Sequence, residues 1–173
     1  KEIDKHNVFD APRNHKLLKS KLVYGANASG KSNLVKAFHA FLEIVRNSFK
    51  NESIIKQKIE PYRLSNETIN EPTFFQIIFI VDGVPYRYGM QVKDGKVTDE
   101  WLFGTPEEEE VYYFTRQGLD IDINVDYFAE AIPIFENNLY VDTALFLTVI
   151  VAAKNKKIAS QLNSIFNKLT IVD

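Results

Sequence analysis

Eight consecutive residues, Gly25-Ala26-Asn27-Ala28-Ser29-Gly30-Lys31-Ser32, satisfy the pattern G-x-x-x-x-G-K-[ST] in a chain that holds only seven glycines. Each type at that spacing serves one chemistry, the holding of a polyphosphate. Gly25 lets the chain leave a strand sharply, and Gly30 lets backbone N–H groups approach phosphate oxygens with no Cβ in the way. The amides of Ala28, Ser29, Gly30, Lys31 and Ser32 are expected to form an anion nest at a helix start, where the helix dipole adds favourable potential. Lys31 is the candidate catalytic charge, reaching the β- and γ-phosphates, and the Ser32 hydroxyl is the candidate Mg²⁺ ligand. Asn27 and Asn33 are further polar candidates around the loop.

A loop of this kind needs a strand before it and a helix after it. Leu22, Val23 and Tyr24 form a short buried-strand candidate, and Leu34, Phe38, Phe41, Val45 and Phe49 recur at the spacing of an amphipathic helix from Ser32 to about Phe49. Residues 21–50 therefore read as strand, phosphate loop and helix, with an irregular or edge segment over residues 1–20. Residues 73–124 read as an antiparallel sheet. Thr73 to Val81 is rich in Phe and Ile, Asp82-Gly83 is a type I′ hairpin signal, and Val84, Tyr86, Tyr88, Met90 and Val92 alternate with Pro85, Arg87, Gly89 and Gln91. Asp94-Gly95 makes a second turn, Val97, Trp101 and Phe103 continue the meander, and VYYFT at 111–115 and LDIDIN at 119–124 add two short strands. The acidic run Glu107 to Glu110 reads as a solvated loop. Residues 125–138 show no clear period. Residues 143–153 and 158–168 read as helices, and TIVD at 170–173 as the opening of another strand.

The composition bounds the rest. A chain of 173 residues, 45% hydrophobic, reads as a single domain over residues 1–173. A formal net charge of −2 argues neither for nucleic-acid binding nor for disorder. The absence of cysteine excludes disulfides and cysteine-based chemistry and favours a cytoplasmic setting. The apolar runs IIFIV and ALFLTVIVAA fall short of the roughly 20 residues that cross a bilayer, so no membrane role is expected. The chain opens without an initiator methionine or an apolar signal core, and its true start is expected to lie upstream.

Two kinds of phosphate-loop protein fit poorly. A guanine site needs N-K-x-D, but Asn155-Lys156-Lys157-Ile158 and Asn167-Lys168-Leu169-Thr170 lack the aspartate. A small-molecule kinase needs clustered lid arginines, and Arg13, Arg46, Arg63, Arg87 and Arg116 are scattered. GANASGKSN instead resembles the nucleotide loop of ABC-type ATPases of the SMC and RecF branch. Residues 7–38, with PYRLSNETINEPTFFQIIFIVDGVPYRYGMQV and DEWLF, are similar to bacterial AAA family ATPases, some of which sit in phage-defence systems beside nucleases. The likeness covers roughly two thirds of the chain. It implies an α/β P-loop NTPase fold, specifically the first lobe of an ABC-ATPase head carrying an antiparallel β-meander, as the N-terminal portion of a longer ATPase. It further implies ATP and Mg²⁺ as ligands, hydrolysis in a head-to-head homodimer, and a nuclease or other effector as partner.

A hydrolytic site of that class also needs an Asp-Glu Walker B strand, a signature loop and a switch histidine. IIFIVD at 77–82 imitates Walker B, but Asp82-Gly83 predicts a hairpin, and LTIVD at 169–173 stops before the deciding position. His6, His15 and His39 have no ligand spacing, with His39 expected at the surface, and neither Gln117 nor Gln161 is singled out as the glutamine between lobes. The chain alone is thus expected to bind Mg-ATP and turn it over slowly or not at all. The rival readings are a non-hydrolysing, nucleotide-ordered interaction module that docks a partner or DNA, and a P-loop kinase. The aromatic and basic alternation of PYRYGMQVK is read as packing rather than as a base-stacking surface.

Overall fold

The computed structural model describes residues 5–12, 15–60, 68, 70–153 and 157–171. A 3₁₀ turn at Lys5–Asn7 leads into a small hairpin of β1 (Val8–Ala11) and β2 (His15–Leu18), where an irregular or edge segment was expected. Asn7 closes this hairpin. Its side chain accepts from the Ser20 amide at 3.0 Å and donates to the Ser20 carbonyl at 2.8 Å. Helix α1 (Lys31–Asn47) follows the phosphate loop, and the short α2 (Ile54–Lys58) turns back against it.

The meander forms one antiparallel sheet in sequence order: β3 (Thr73–Val81), β4 (Val84–Lys93), β5 (Lys96–Gly104), β6 (Val111–Gln117) and β7 (Asp120–Ile123). Both two-residue turns have positive φ at each position, 50° and 84° at Asp82-Gly83 and 54° and 81° at Asp94-Gly95, as type I′ turns require. Asp82 is therefore a turn residue, not the end of a Walker B strand. The pleat sends Tyr88, Met90 and Val92 of β4 inward, fully buried, while Arg87 and Gln91 face out. A register shift at Leu102/Phe103 lets both Tyr113 and Phe114 enter the core. On the outer face the indole of Trp101 covers Gly89, where a Cβ would fall 2.3 Å from Cζ2. Arg87 lies 4.2 Å above the Phe103 ring and is ion-paired to Glu110. The Tyr-Arg-Tyr alternation is thus packing on one face and a local ion pair on the other.

Helices cover the inner face. Residues 125–136, which show no period in the sequence, form α3 (Val125–Phe128), a 3₁₀ turn (Ala129–Ala131) and α4 (Ile132–Glu136), with Asn124 capping α3 by accepting from the Asp126 amide. Helices α5 (Phe146–Ala152) and α6 (Lys157–Lys168) complete the layer, each starting or ending within a few residues of its expected bounds. Phe166 of α6 is the centre of an aromatic cluster, with ring centroids 5.8 Å from Phe41, 5.3 Å from Phe79 and 5.8 Å from Tyr88. Leu169 to Ile171 are neither helix nor strand, and Val172 and Asp173, the end of the expected TIVD strand, lie outside the described residues.

Under the sheet sits an ion pair between residues 16 positions apart. Glu100 and Arg116 are buried, with the guanidinium 3.5 Å from the carboxylate. Glu100 also accepts from the Phe146 amide at 2.6 Å, the Leu147 amide at 3.1 Å and the Tyr88 hydroxyl at 2.9 Å, so it caps the start of α5. Arg116 donates further to the carbonyls of Gly118, Ala144 and Val141. Burial pushes the Glu100 carboxyl above its ordinary pKa, while Arg116, the two amides and Tyr88 pull it back. Among the described residues no helix is long and apolar enough to cross a membrane.

Candidate functional site

The run expected to be a strand, Leu22 to Tyr24, is irregular here, with exposures of 76%, 53% and 85%. A lone strand leaves its backbone groups without partners, so Leu22, Val23 and Tyr24 adopt none of the ladder geometry that a neighbour would impose. The expected strand, loop and helix of residues 21–50 is thus loop and helix here.

The loop itself is shaped. Ala28 and Gly30 both lie in the left-handed region, at φ 61° and 89°. Gly25 is tightly faced by Ser29: a Cβ there would meet Ser29 Oγ at 2.5 Å and force that side chain to turn away. The Ser29 amide donates to the Ala26 carbonyl at 3.2 Å and closes the turn. Gly30 is the N-cap of α1, and its carbonyl accepts from the Leu34 amide at 3.0 Å. No side chain caps this helix start, and no acidic residue occupies its first turn. The amides of Lys31, Ser32 and Asn33 therefore open a 17-residue helix with its dipole unneutralised.

Lys31 crosses back over the loop. Its ammonium donates to the carbonyls of Gly25 and Ala26, each at 2.7 Å, and to Ser29 Oγ at 3.3 Å. Gly25, Ala26, Ser29 and Lys31 are thus brought together, with Asn27, Ala28, Gly30, Ser32 and Asn33 exposed around them. Chemically this is a set of backbone donors, one ammonium and one hydroxyl that a polyphosphate can enter from solvent. The donor set fits Mg²⁺ only through Ser32 Oγ together with phosphate oxygens, since no group of three or more His, Asp or Glu gathers among the described residues. Mg²⁺, when bound there, would supply charge neutralisation to the phosphates.

His39 is exposed on α1, and Gln161 donates to Asp82 Oδ2 at 2.9 Å, far along the chain from the loop. Two groups missed in the sequence tie this helix to the fold. Arg46 donates from Nε to the Phe166 carbonyl at 3.0 Å, and its Nη2 reaches the carbonyls of Phe166 and Leu169. Ser48, fully buried, shares a hydrogen bond of 2.9 Å with Thr148 and accepts from the Leu145 amide at 3.2 Å. A polar residue in phase with the buried stripe was the available signal for Ser48; for Arg46 there was none.

A phosphate loop capping a helix, beside an antiparallel sheet, places the chain among P-loop nucleotide-binding proteins. Residues 22–134 match the family model described as "AAA domain, putative AbiEii toxin, Type IV TA system", and the chain belongs to that family. No curated protein and no solved structure gives a significant match to the chain.

Proposed function

We propose that this domain binds Mg-ATP in the loop Gly25–Ser32, with Lys31 against the β- and γ-phosphates, Ser32 on the metal and the amides of Ala28 to Ser32 as donors. What carries the reading is the coincidence of an uncapped helix start, two left-handed residues and a lysine already lying over the loop. Membership of an AAA family supports nucleotide binding and, more generally, ATPase activity. Phosphoryl transfer to water needs a positioned nucleophile as well as a cradle. We assign that step to a head-to-head dimer of the ABC type, in which a second copy closes over an otherwise open site; every residue from Lys21 to Gly30 is exposed and free to be covered.

The same logic applies to the apolar groups beside the cradle. Leu22, Val23 and Tyr24, with Leu34, Val35 and Phe38 of α1, are all exposed, although the lower half of the same helix is buried. We infer that in the working ATPase these are covered by strands beyond β1 to β7, which would turn Leu22–Tyr24 into the strand that its composition favours. The toxin named in the family description supports a role in cell defence; a nuclease or other effector as partner is the proposal that the resemblance to phage-defence ATPases motivates.

The test is calorimetric titration of the chain with Mg-ATP beside Lys31→Ala. Saturable binding that is weakened about tenfold or more in the variant supports the reading, and equal affinity of the two proteins would overturn it. Release of free phosphate in the absence of any acceptor distinguishes an ATPase from a kinase. A turnover rate unchanged by protein concentration would count against the dimer.

A further inference from the structure

We propose that occupancy of the phosphate cradle is transmitted along α1 to the C-terminal end of α6, with Arg46 as the coupling residue. The inference rests on the nucleotide reading above and adds to it a direction of output.

The two ends of α1 differ in kind. Its first turn adjoins the loop, where Lys31 is held by three acceptors that a polyphosphate would compete for. This gives a two-state element: the ammonium satisfied by Gly25, Ala26 and Ser29, or drawn off by phosphate. Its second half, Ala40, Phe41, Leu42, Ile44 and Val45, is buried, and 17 residues of helix separate the ends by about 25 Å. The helix has no internal glycine or proline to absorb a displacement.

At the buried end Arg46 takes the Phe166 carbonyl in the last turn of α6, one of the groups that a helix leaves without partners, and the Leu169 carbonyl just beyond it, and sets a positive charge at the negative end of the helix dipole. The other end of α6 is held by Glu130, which accepts from the Ile158 and Ala159 amides at 3.2 and 2.7 Å. Both termini of α6 are therefore capped by side chains of other elements, but only the C-terminal cap rides on the nucleotide helix. Ser48, two residues on, fixes the same end of α1 to Thr148 and Leu145 of the α5 start. A shift of α1 that follows phosphate binding must either move the Arg46 fork off the α6 carbonyls or seat it more firmly. By reciprocity, loosening the cap must change nucleotide affinity by the same factor.

Hydrogen exchange of the full chain with and without Mg and adenylyl imidodiphosphate tests this, in wild type, Arg46→Met and Arg46→Lys, with nucleotide affinity titrated in parallel. In wild type the nucleotide is expected to change exchange at amides 165–171 on the order of fivefold. Arg46→Met should abolish that nucleotide-dependent difference and shift affinity by a matching factor, and Arg46→Lys, which keeps the charge but not the fork, should retain part of it. A cap that is only structural would alter α6 exchange equally with and without nucleotide, and that result overturns the coupling. So does nucleotide binding that leaves α6 exchange unchanged in wild type. Should Arg46→Met fail to fold, Thr148→Val breaks the Ser48–Thr148 bond and leaves both the Leu145 bond and Arg46 in place; a coupling carried by Arg46 then survives, and its loss in that variant overturns the role of Arg46. Failure of the wild-type chain to bind the nucleotide overturns the function proposed above, and the coupling with it.

Discussion

Glu100 and Arg116 lie out of solvent with every strong partner supplied by the fold, whereas Lys31 and its loop lie open, with internal partners that a ligand can replace. The first arrangement joins sheet to helix and has no access for a substrate. The second leaves the strongest cation of the loop within reach of an anion. A buried charge held by fixed donors stabilises one geometry, and removing one member strands the other in a low-dielectric interior. An exposed charge contributes little to stability and remains available for binding.

The contrast breaks most readily at the clamp. Glu100→Ala leaves Arg116 buried without its counter-charge and the α5 start without its cap, and should lower unfolding free energy by about 3–5 kcal/mol in urea titrations, with nucleotide affinity of the folded fraction unchanged. Lys31→Ala should do the converse. Loss of a charge-assisted contact worth about 1.5–3 kcal/mol lowers ATP affinity roughly 10- to 100-fold by calorimetry, with stability shifted by under about 1 kcal/mol. Gly30→Ala sharpens the point, since a Cβ there meets no atom yet φ of 89° strains it. A penalty of about 1–2 kcal/mol should appear as a reshaped loop and weaker nucleotide binding rather than as a lower melting temperature.

Acidity separates the regions again. Because the folded-state pKa of Glu100 is raised, the native state binds its proton more tightly than the unfolded chain does. Its contribution is fully present below the ordinary carboxylate range and is lost as pH rises through the raised value. The stability of wild type relative to Glu100→Gln should therefore shrink as pH rises above the ordinary carboxylate range in paired denaturation curves. Glu110 has the opposite sign: Arg87 holds its pKa down, so its contribution is lost as pH falls. The pair is largely exposed, and Glu110→Gln should change stability by less than about 1 kcal/mol.

The cradle was legible because its eight residues are contiguous and each is constrained by the same ligand. The hairpins were legible because Asp-Gly at each turn leaves few other conformations. The clamp was not, since Glu100 and Arg116 meet only after the meander folds; an acidic residue in phase with the inward Leu102 was the one signal available. Ser48 showed as a polar residue in phase with the buried stripe, but its pairing with Thr148, 100 residues away, was invisible for the same reason. Leu22 to Tyr24 has the composition of a strand, but strands are made by neighbours, and among the described residues this run has none. Residues 125–136 lacked a period because three short helical pieces break phase with one another.

The indole of Trp101, stacked across the bare backbone of Gly89, belongs to the chain's only tryptophan. Its fluorescence is accordingly a built-in gauge of strand pairing between β4 and β5, silent to chemistry confined to the loop. A methyl group introduced by Gly89→Ala would push the ring outward, and the resulting red shift would mark how tightly that pair of strands must close.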